Sequence, residues 1–355
     1  MNNKSWDCIG VMSGTSLDGV DIIYVKFNNL KPYQFEILKY QTLSYSDQWK
    51  ERLLNAFTQD ERQLKKLDIK YGKHLGSLIK VFIEKNKIKR VDFIASHGHT
   101  IFHKPEEKYT LQIGAGQTIA DITKQKVICD FRTQDVNFGG QGAPLVPIGD
   151  ELLFSRFDFC LNLGGFANIY FKKDNTRIAF DICPVNIVLN YYANKLGYEY
   201  DNNGKIASEG RISQKLLEEL NILEYYKKKH PKSLGFEWVN DTIFPLIESF
   251  NLKNEDILRT FTEHTAIQIS TQLKGKEKSV LITGGGVFND FLMLRLSRLS
   301  EAKIIIPKKE IIEYKEALIF GFLGLLKMKD EINVLSSVTG AKKNHSSGEI
   351  FKPKA

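Results

Sequence analysis

Short apolar runs typical of β-strands alternate along the chain with longer segments of helical periodicity. The strand-like runs are Cys8–Met12, Val20–Phe27, Val91–Ala95, Val127–Cys129, Phe159–Leu163, Ile169–Phe171, Ile178–Phe180, Val280–Ile282 and Ile304–Ile306. Apolar residues three or four positions apart predict helices over Trp49–Phe57, Leu64–Lys85, Pro184–Leu196, Gln214–Leu220, Asp256–Leu273, Asp290–Leu299 and Glu316–Lys329. Strands that alternate with helices in this way predict the α/β class.

The pattern contains one internal repeat. Asp7–Gly14 and Asp158–Gly165 each begin with an acid, continue as an apolar strand and end in a turn of small residues before a second strand. Glycine has no Cβ, so such a turn can approach a ligand closely. Two hairpins that each open a domain resemble the layout of the actin, Hsp70 and hexokinase superfamily, whose paired hairpin turns hold nucleotide phosphates. Taken alone, the repeat also fits two ordinary glycine hairpins.

Length and composition narrow the class further. A chain of 355 residues predicts about two domains, and the glycine-rich stretch Gly139–Pro144 is the best candidate for a hinge between them. With 42% hydrophobic and 26% charged residues, the chain has the balance of a soluble globular protein. The longest apolar run near the C-terminus, Ala317–Leu326, is half the length of a membrane span.

Charge and cysteine usage indicate no nucleic-acid partner and no metal motif. The net charge is +8, but the lysines are scattered and no aromatic-basic ladder accompanies them, which favours a phosphate-bearing small ligand over nucleic acid. The four cysteines occur singly, so we expect buried, reduced thiols. Since the N-terminus is polar and lacks the apolar segment of a signal peptide, we expect a cytoplasmic protein without membrane contact.

Two glycine-rich elements are candidates for ligand binding. The turn in Met12–Asp21 offers backbone N–H groups and hydroxyls to an anion, with Asp18 and Asp21 available to the water shell of a metal ion; alternatively, its polar residues satisfy only their own backbone. In Val280–Asp290 a strand ends in three glycines, which suits either close approach to an adenine or ribose ring or tight packing alone. The sequence has no P-loop motif and no GxGxxG after a strand.

Two polar segments are candidates for catalysis or substrate binding. Asp130, Arg132 and Asp135 lie within six residues, where the arginine can hold a carboxylate ionised as a general base; the alternative is an Asp–Arg pair that caps a turn. His97, His99 and His103 have a spacing that zinc can use, but without a nearby Cys or carboxylate they favour a hydrogen-bonding wall beside a polar substrate.

Together these segments resemble the anhydro-N-acetylmuramic acid kinase family, a sugar-kinase family of the actin/Hsp70/hexokinase superfamily. The matching elements, in order along nearly the whole chain, are Met12–Asp21, Ser96–Gly98 with Thr100, Thr110–Gly114, Asp130–Arg132 with Asp135, Gly139–Val146, Asn162–Asn168, Thr283–Gly286, Lys315–Ala317 and Ser337–Gly340. The chain departs from the family pattern at Asp181–Asn186, where Cys183 and Val185 replace two glycines. It also departs at His99, which replaces a common glutamine, and at Ala115–Gly116, where an acidic residue is usual.

The resemblance implies a two-domain actin/Hsp70/hexokinase-like (ribonuclease H-like) α/β fold with an inter-domain cleft. The first domain would comprise residues 1–143 and 311–355, and the second residues 144–310. The implied activity is ATP- and Mg²⁺-dependent conversion of 1,6-anhydro-N-acetylmuramic acid to N-acetylmuramic acid 6-phosphate in cell-wall recycling, by a homodimer. The alternatives are a kinase for another sugar and a catalytically silent nucleotide- or sugar-binding module, which the altered Asp181–Asn186 turn would favour.

The resemblance also implies site residues. Asp135 is the expected general base, with Asp130 as the alternative, and His97, Arg132 and Glu316 would shape the sugar site. Asp18 would hold the Mg²⁺ ion. The expected nucleotide-binding residues are Gly14, Thr15, Ser16, Leu17, Asp18, Gly19, Val20, Asp21, Gly164, Gly165, Gly284, Gly285 and Gly286.

Overall fold

The computed structural model of the chain describes residues 5–14, 17–174 and 176–354. The strands are β1 Trp6–Ser13, β2 Gly19–Phe27, β3 Phe35–Ser44, β4 Phe93–Ser96, β5 His99–Lys104, β6 Tyr109–Ile113, β7 Val127–Cys129, β8 Phe159–Leu163, β9 Phe166–Lys173, β10 Thr176–Pro184, β11 Ser279–Thr283, β12 Lys303–Ile305 and β13 Glu349–Phe351. The mixture confirms the α/β class.

Helices connect and cover these strands. They are α1 Asp47–Leu54, α2 Glu61–Lys85, α3 Gly116–Thr123, α4 Thr133–Asn137, α5 Val146–Leu153, α6 Asn186–Asn194, α7 Lys205–Glu209, α8 Gln214–Ile222, α9 Glu224–Lys227, α10 Phe236–Trp238, α11 Phe244–Glu248, α12 Asn254–Gln272, α13 Asp290–Leu299, α14 Lys309–Met328 and α15 Ser336–Thr339. A π-helical turn, Val239–Ile243, joins α10 to α11. Among the residues described, no helix combines the length and apolar content that crossing a bilayer requires.

The chain divides into two compact units. The first unit is Met1–Leu153 with Tyr314–Ala355, and the second is Phe154–Glu313. The bounds inferred from sequence differ from these by the segment 144–153, which contains α5, and by residues 311–313. The sequence placed the division at the candidate hinge Gly139–Pro144, but this stretch lies inside the first unit.

The sheet of the first unit is built on an antiparallel meander. Its order is β13-β7-β4-β1-β2-β3, in which β1, β2 and β3 pair antiparallel in sequence, while β4 joins β1 and β7 joins β4 in parallel. Helix α14 packs on this sheet at Gly10, where a Cβ would collide with the Ala317 carbonyl oxygen. The apolar run Ala317–Leu326 is therefore core rather than surface.

The sheet of the second unit repeats the same plan. Its order is β10-β9-β8-β11-β12, in which β8, β9 and β10 pair antiparallel in sequence, while β11 joins β8 and β12 joins β11 in parallel. The predicted repeat is confirmed, since Asp7–Gly14 contains most of β1 and Asp158–Gly165 contains β8, each the first strand of a meander. Each unit thus begins with a hairpin and then adds parallel strands.

The departure from the family pattern at the end of β10 is part of the core of the second unit. Cys183 and Val185 have no exposed surface and pack with Ile182 and Val188, while Ile187 packs partly buried against them. The expectation that these apolar residues form a coherent packed surface is confirmed.

Replacing both Cys183 and Val185 by glycine is therefore expected to destabilise the second unit without raising turnover. Burial is lost at two sites, and glycine adds unfolded-state entropy, so the free energy of unfolding should fall by about 2 kcal/mol or more. Urea unfolding of the double variant measures the loss. A large gain in turnover would instead mean that the two side chains hold the turn away from a ligand.

Candidate functional site

The turn between β1 and β2 supplies the first group of predicted nucleotide-binding residues. Thr15 and Ser16 lie outside the described residues. Leu17 has φ +60° and its N–H donates to the Gly14 carbonyl at 3.4 Å, and Asp18 next to it is exposed. The Asp18 carboxylate is thus open to solvent at this turn.

The last three residues of the segment Met12–Asp21, which are Gly19, Val20 and Asp21, contribute to the packing and hydrogen bonding of the sheet. A Cβ at Gly19 would lie 2.5 Å from the Leu43 carbonyl oxygen, so close strand packing by itself accounts for this glycine. Val20 is fully buried in the core, and Asp21 accepts a hydrogen bond of 2.6 Å from the Thr42 hydroxyl. The side chain of Val20 does not reach a ligand, and that of Asp21 is tied to β3.

A buried polar chain anchors the end of β1. The Ser13 hydroxyl lies 2.8 Å from Nδ1 of His99 and 2.7 Å from the Tyr45 hydroxyl, which in turn contacts the Tyr71 hydroxyl. Burial lowers the pKa of His99 to about 4, so the ring is neutral at pH 7. His99 therefore fixes the residue that precedes the turn.

His97 and Arg132 form a second buried contact, at the end of β4 and the start of α4. Nε of Arg132 donates to Nε2 of His97 at 3.0 Å, so the imidazole proton lies on Nδ1, which donates to the Gly98 carbonyl at 3.0 Å. Burial, and then the charge of Arg132, hold the pKa of His97 well below its ordinary value. The sequence predicted that His97, His99 and His103 form a hydrogen-bonding wall beside a polar substrate. All three make hydrogen bonds within the protein, that of His103 being from Nδ1 to the Thr110 hydroxyl at 3.1 Å, and their place beside a substrate stays a prediction.

Glu316 on α14 is electrostatically coupled to Arg132. Burial lowers the pKa of Arg132 to about 10, an effect that the charge of Glu316 opposes. The side chain of Glu316 is accessible to solvent, but desolvation by the surrounding protein still raises its pKa, partly offset by Arg132 and Lys315. Of the three residues predicted for the sugar site, Arg132 thus interacts with both others.

Asp135 lies on α4 and has no exposed surface. Its Oδ2 accepts from the Gly142 N–H at 2.7 Å and its Oδ1 from the Thr339 hydroxyl at 2.8 Å, while Nε2 of His345 lies 3.6 Å from Oδ1. Arg132 donates to the carbonyl of the same Gly142 at 2.7 Å. Asp135 therefore binds the N–H of Gly142 and Arg132 binds its carbonyl, so the two side chains together hold this loop.

Asp130, the alternative base, is placed at the start of α4. It has φ +55°, and its Oδ1 accepts from the Thr133 N–H at 3.2 Å. The Asp130 carboxylate therefore holds the backbone that leads from β7 into α4, as an aspartate side chain does in a turn.

The carboxyl ends of β8 and β11 bring together the predicted glycines of the second unit. Gly284 has φ +88°, and a Cβ there would lie 2.6 Å from the Leu163 carbonyl oxygen. A Cβ at Gly286 would lie 2.8 Å from the Cβ atom of Leu163. In contrast, a Cβ at Gly285 meets only Asn186 Nδ2 at 3.9 Å, and Gly165 is similarly open. Two of these glycines are thus required for packing, and the others leave room for a ligand.

The turn at Gly164 and Gly165 is joined to the start of α6. The N–H of Val185 donates to the Gly165 carbonyl at 2.7 Å, and that of Asn186 to the Gly164 carbonyl at 3.2 Å. The hairpin turn at Gly164 and Gly165, the start of α6 and the glycines after β11 thus form one structural element.

The sequence analysis did not select Asp181, on β10, as a catalytic candidate. Its Oδ2 accepts from the Leu234 N–H at 2.9 Å. Burial raises its pKa, although the Leu234 N–H and the Asn168 side chain oppose the effect. Asp181 is only partly buried. A raised pKa on a carboxyl that water still reaches is typical of catalytic acids and bases, and its position at the head of the altered Asp181–Asn186 turn was the available sequence signal.

In both units an antiparallel three-strand meander is extended by two parallel strands, and the first unit adds the antiparallel β13 at the edge. This shared plan, with a hairpin at the start of each unit, defines a duplicated ribonuclease H-like fold of the actin/Hsp70/hexokinase class. The model of the family "Anhydro-N-acetylmuramic acid kinase" matches residues 7–353. The chain belongs to this family.

Curated relatives match this chain over nearly their full lengths. Proteins named anhydro-N-acetylmuramic acid kinase are 33% identical in a Sulfurovum species, covering 99% of this chain and 100% of the relative. The one from Pasteurella multocida is 34% identical, covering 97% and 96%, and that from Haemophilus influenzae is 32% identical, covering 99% of both. The family resemblance seen in the sequence is confirmed.

Proposed function

We propose that the protein is an ATP-dependent kinase that hydrolyses the 1,6-anhydro ring of anhydro-N-acetylmuramic acid and phosphorylates O6, giving N-acetylmuramic acid 6-phosphate. The observation that carries this proposal is the family match over residues 7–353. Cell-wall recycling in the cytoplasm is the setting in which this sugar would be salvaged, and we propose a homodimer as the working form.

The open glycines of the second unit fit a nucleotide. Gly164, Gly165 and Gly285 leave space where a Cβ would stand, so backbone N–H groups there can approach phosphate or ribose. In the first unit Gly14, Thr15, Ser16 and Leu17 would contact phosphate, and the exposed Asp18 would hold Mg²⁺, since carboxylate and water oxygens suit this ion. A bound Mg²⁺ would supply charge stabilisation for the transferring phosphoryl group.

A matched pair of glycine variants tests the nucleotide site. Gly285→Ala is expected to weaken ATP binding by about 10-fold or more while leaving stability nearly unchanged, because its added methyl enters open space that the ligand needs. Gly284→Ala is the control: its positive φ and its contact with Leu163 predict a loss of unfolding free energy of about 1–3 kcal/mol. Calorimetric ATP titration and urea unfolding separate the two effects. Equal ATP affinity in Gly285→Ala and the parent would place the nucleotide elsewhere.

The reaction needs a base because water must attack the anomeric carbon. As the water oxygen bonds to that carbon, the bond to O6 breaks and the base accepts the proton. The freed O6 then attacks the γ-phosphate, and ADP leaves. Asp135 is the base predicted from sequence, but its complete burial and its two accepted hydrogen bonds support a positioning role. Asp181 is partly accessible, oriented by Leu234 and raised in pKa, and these properties favour it as the base.

The remaining polar residues of the first unit suit a sugar. Glu316 presents an exposed carboxylate, while Arg132 and His97 hold each other and the loop at Gly142. Carboxylate and imidazole groups of this kind orient sugar hydroxyls by hydrogen bonding. Glu316 would contact the sugar, and Arg132 and His97 would set the surface that it meets.

One assay separates the alternatives. Purified protein with ATP, Mg²⁺ and the anhydro sugar should yield N-acetylmuramic acid 6-phosphate, and the product made in ¹⁸O-water should carry the label at C1, as mass spectrometry would show. Phosphorylation of another hexosamine but not of the anhydro sugar would indicate a different sugar kinase. Binding of ATP without any product would indicate a silent module.

A further inference from the structure

The second unit contains a cavity beside the segment that orients Asp181. Its volume is about 570 Å³, within the range of roughly 300–1,000 Å³ that small-molecule sites occupy. Its lining includes Glu224 and Tyr225 of α9, Lys228 and Lys232 of the loop after it, Trp238 of α10 and Thr242 of the π-helical turn.

The wall of this cavity combines cations with aromatic surface. Lys228 and Lys232 contribute positive charge, only partly offset by Glu224, while Tyr225 and Trp238 lie with ring centroids 5.3 Å apart. Aromatic faces pack against the apolar faces of sugar rings, and ammonium groups bind carboxylates and phosphates. The lining therefore matches a ligand with both features.

Lys232 is held in place for such a role. Its ammonium lies 4.6 Å from the ring centroid of Tyr225 and 5.5 Å from that of Phe180, and it donates to the Tyr225 carbonyl at 3.2 Å. Burial lowers its pKa. Among the residues that the structure describes, no carboxylate pairs with it, so an anion would complete its interactions.

The backbone around the cavity has two further features. Val239–Ile243 forms a π-helical turn that places Thr242 in the wall, and such turns occur frequently at functional sites. Leu234 donates its N–H to Asp181, and the Tyr225 hydroxyl donates to the Asp181 carbonyl at 2.5 Å. A ligand in the cavity would therefore touch the same segment that orients Asp181.

We propose that this cavity binds an anionic amino sugar, with Lys228 and Lys232 on its carboxylate or phosphate and Trp238 against its ring. The proposed function supplies the kind of sugar, since its substrate carries a carboxylate and its product adds a phosphate. The charge and shape of the cavity are independent of that function.

Binding without ATP tests the proposal separately from turnover. The fluorescence of the protein is titrated with N-acetylmuramic acid, with N-acetylglucosamine 6-phosphate and with neutral N-acetylglucosamine, and the signal that Trp238→Phe abolishes reports the cavity. We expect a saturable signal with at least one anionic sugar and none with the neutral one. The carboxylate and phosphate probes show which anion the site prefers.

Matched lysine variants locate the anion. Lys232→Met should weaken this binding by about 10-fold or more, because a charged hydrogen bond is lost, and Lys232→Arg should restore most of it. Lys229→Met, which changes an exposed lysine of the same run outside the lining, should have no effect. Equal binding of the neutral sugar, no binding of either anionic sugar, or unchanged binding in Lys232→Met would each overturn the proposal, whatever the outcome of the kinase assay.

Discussion

Asp181→Asn is expected to lower kcat by about 10²–10⁴-fold, the usual effect of removing a positioned base, with little change in nucleotide affinity. The amide keeps the shape of the side chain and one acceptor oxygen for the Leu234 N–H, so the second unit should stay folded although the Asn168 side chain loses its charged acceptor. Steady-state kinetics, ATP titration and urea unfolding of the same preparation provide the three readouts.

Asp135→Asn is the matched comparison. An amide has a single acceptor oxygen, whereas Asp135 accepts from both Gly142 and Thr339, so the free energy of unfolding should fall by about 1–3 kcal/mol. Activity lost with Asp135→Asn at unchanged stability, together with near-normal turnover in Asp181→Asn, would restore Asp135 as the base. Glu316→Gln completes the set, since its carboxyl also has a raised pKa. The same loss of kcat in Glu316→Gln, with Asp181→Asn active, would assign the base to Glu316.

Stability is expected to fall steeply below pH 6.5 because buried histidines are held neutral in the folded protein. Burial lowers the pKa of His99 to about 4 and that of His264 to about 3, and it holds that of His97 well below its ordinary value. Their folded-state pKa values lie below the unfolded value near 6.5, so the unfolded chain binds more protons. Stability is thus complete above pH 6.5 and is lost progressively down to about pH 4 for His99 and about pH 3 for His264. At pH 5.5 the protonation of His99 and His264 in the unfolded chain should together cost about 3 kcal/mol of stability, and His97 acts in the same direction.

Carboxyls with raised pKa values oppose part of this loss. Asp68, Asp181 and Glu316 take up protons in the folded state at higher pH than in the unfolded state, which adds stability as the pH falls. The cleanest window is therefore between pH 7 and pH 5.5, measured by urea unfolding at intervals.

Two histidine variants check the cause. His99→Gln should reduce the loss of stability between pH 7 and pH 5.5 by about 1 kcal/mol, because it deletes one linked proton. His230→Gln, at an exposed position, is the matched control, and the difference in pH dependence between the two variants isolates the contribution of the buried His99. A pH dependence that is the same in His99→Gln as in the parent would exclude His99 as a contributor.

The sequence determined the fold class and the repeat because both depend on local pattern. β7 and β8 have the bounds that the apolar runs predicted, since a strand buried on both faces reads as a continuous apolar run. The helix α13 has the bounds that its helical periodicity predicted. β3 was missed because it is a largely exposed edge strand in which apolar and polar residues mix. β13 was missed because its three residues are a strand only through pairing with β7, more than 200 residues away in the chain.

For the site, the sequence identified the motifs, and only the tertiary structure assigned roles within them. Gly284 and Gly285 are indistinguishable in a run of three glycines, yet one packs against Leu163 and the other faces open space. Asp135 stood out because it lies in a dense polar motif, but its partners Thr339 and His345 come from the distant C-terminal segment. The sequence shows which residues are polar. Whether a polar residue meets solvent or holds a loop depends on contacts between remote segments, and only the folded chain brings those segments together.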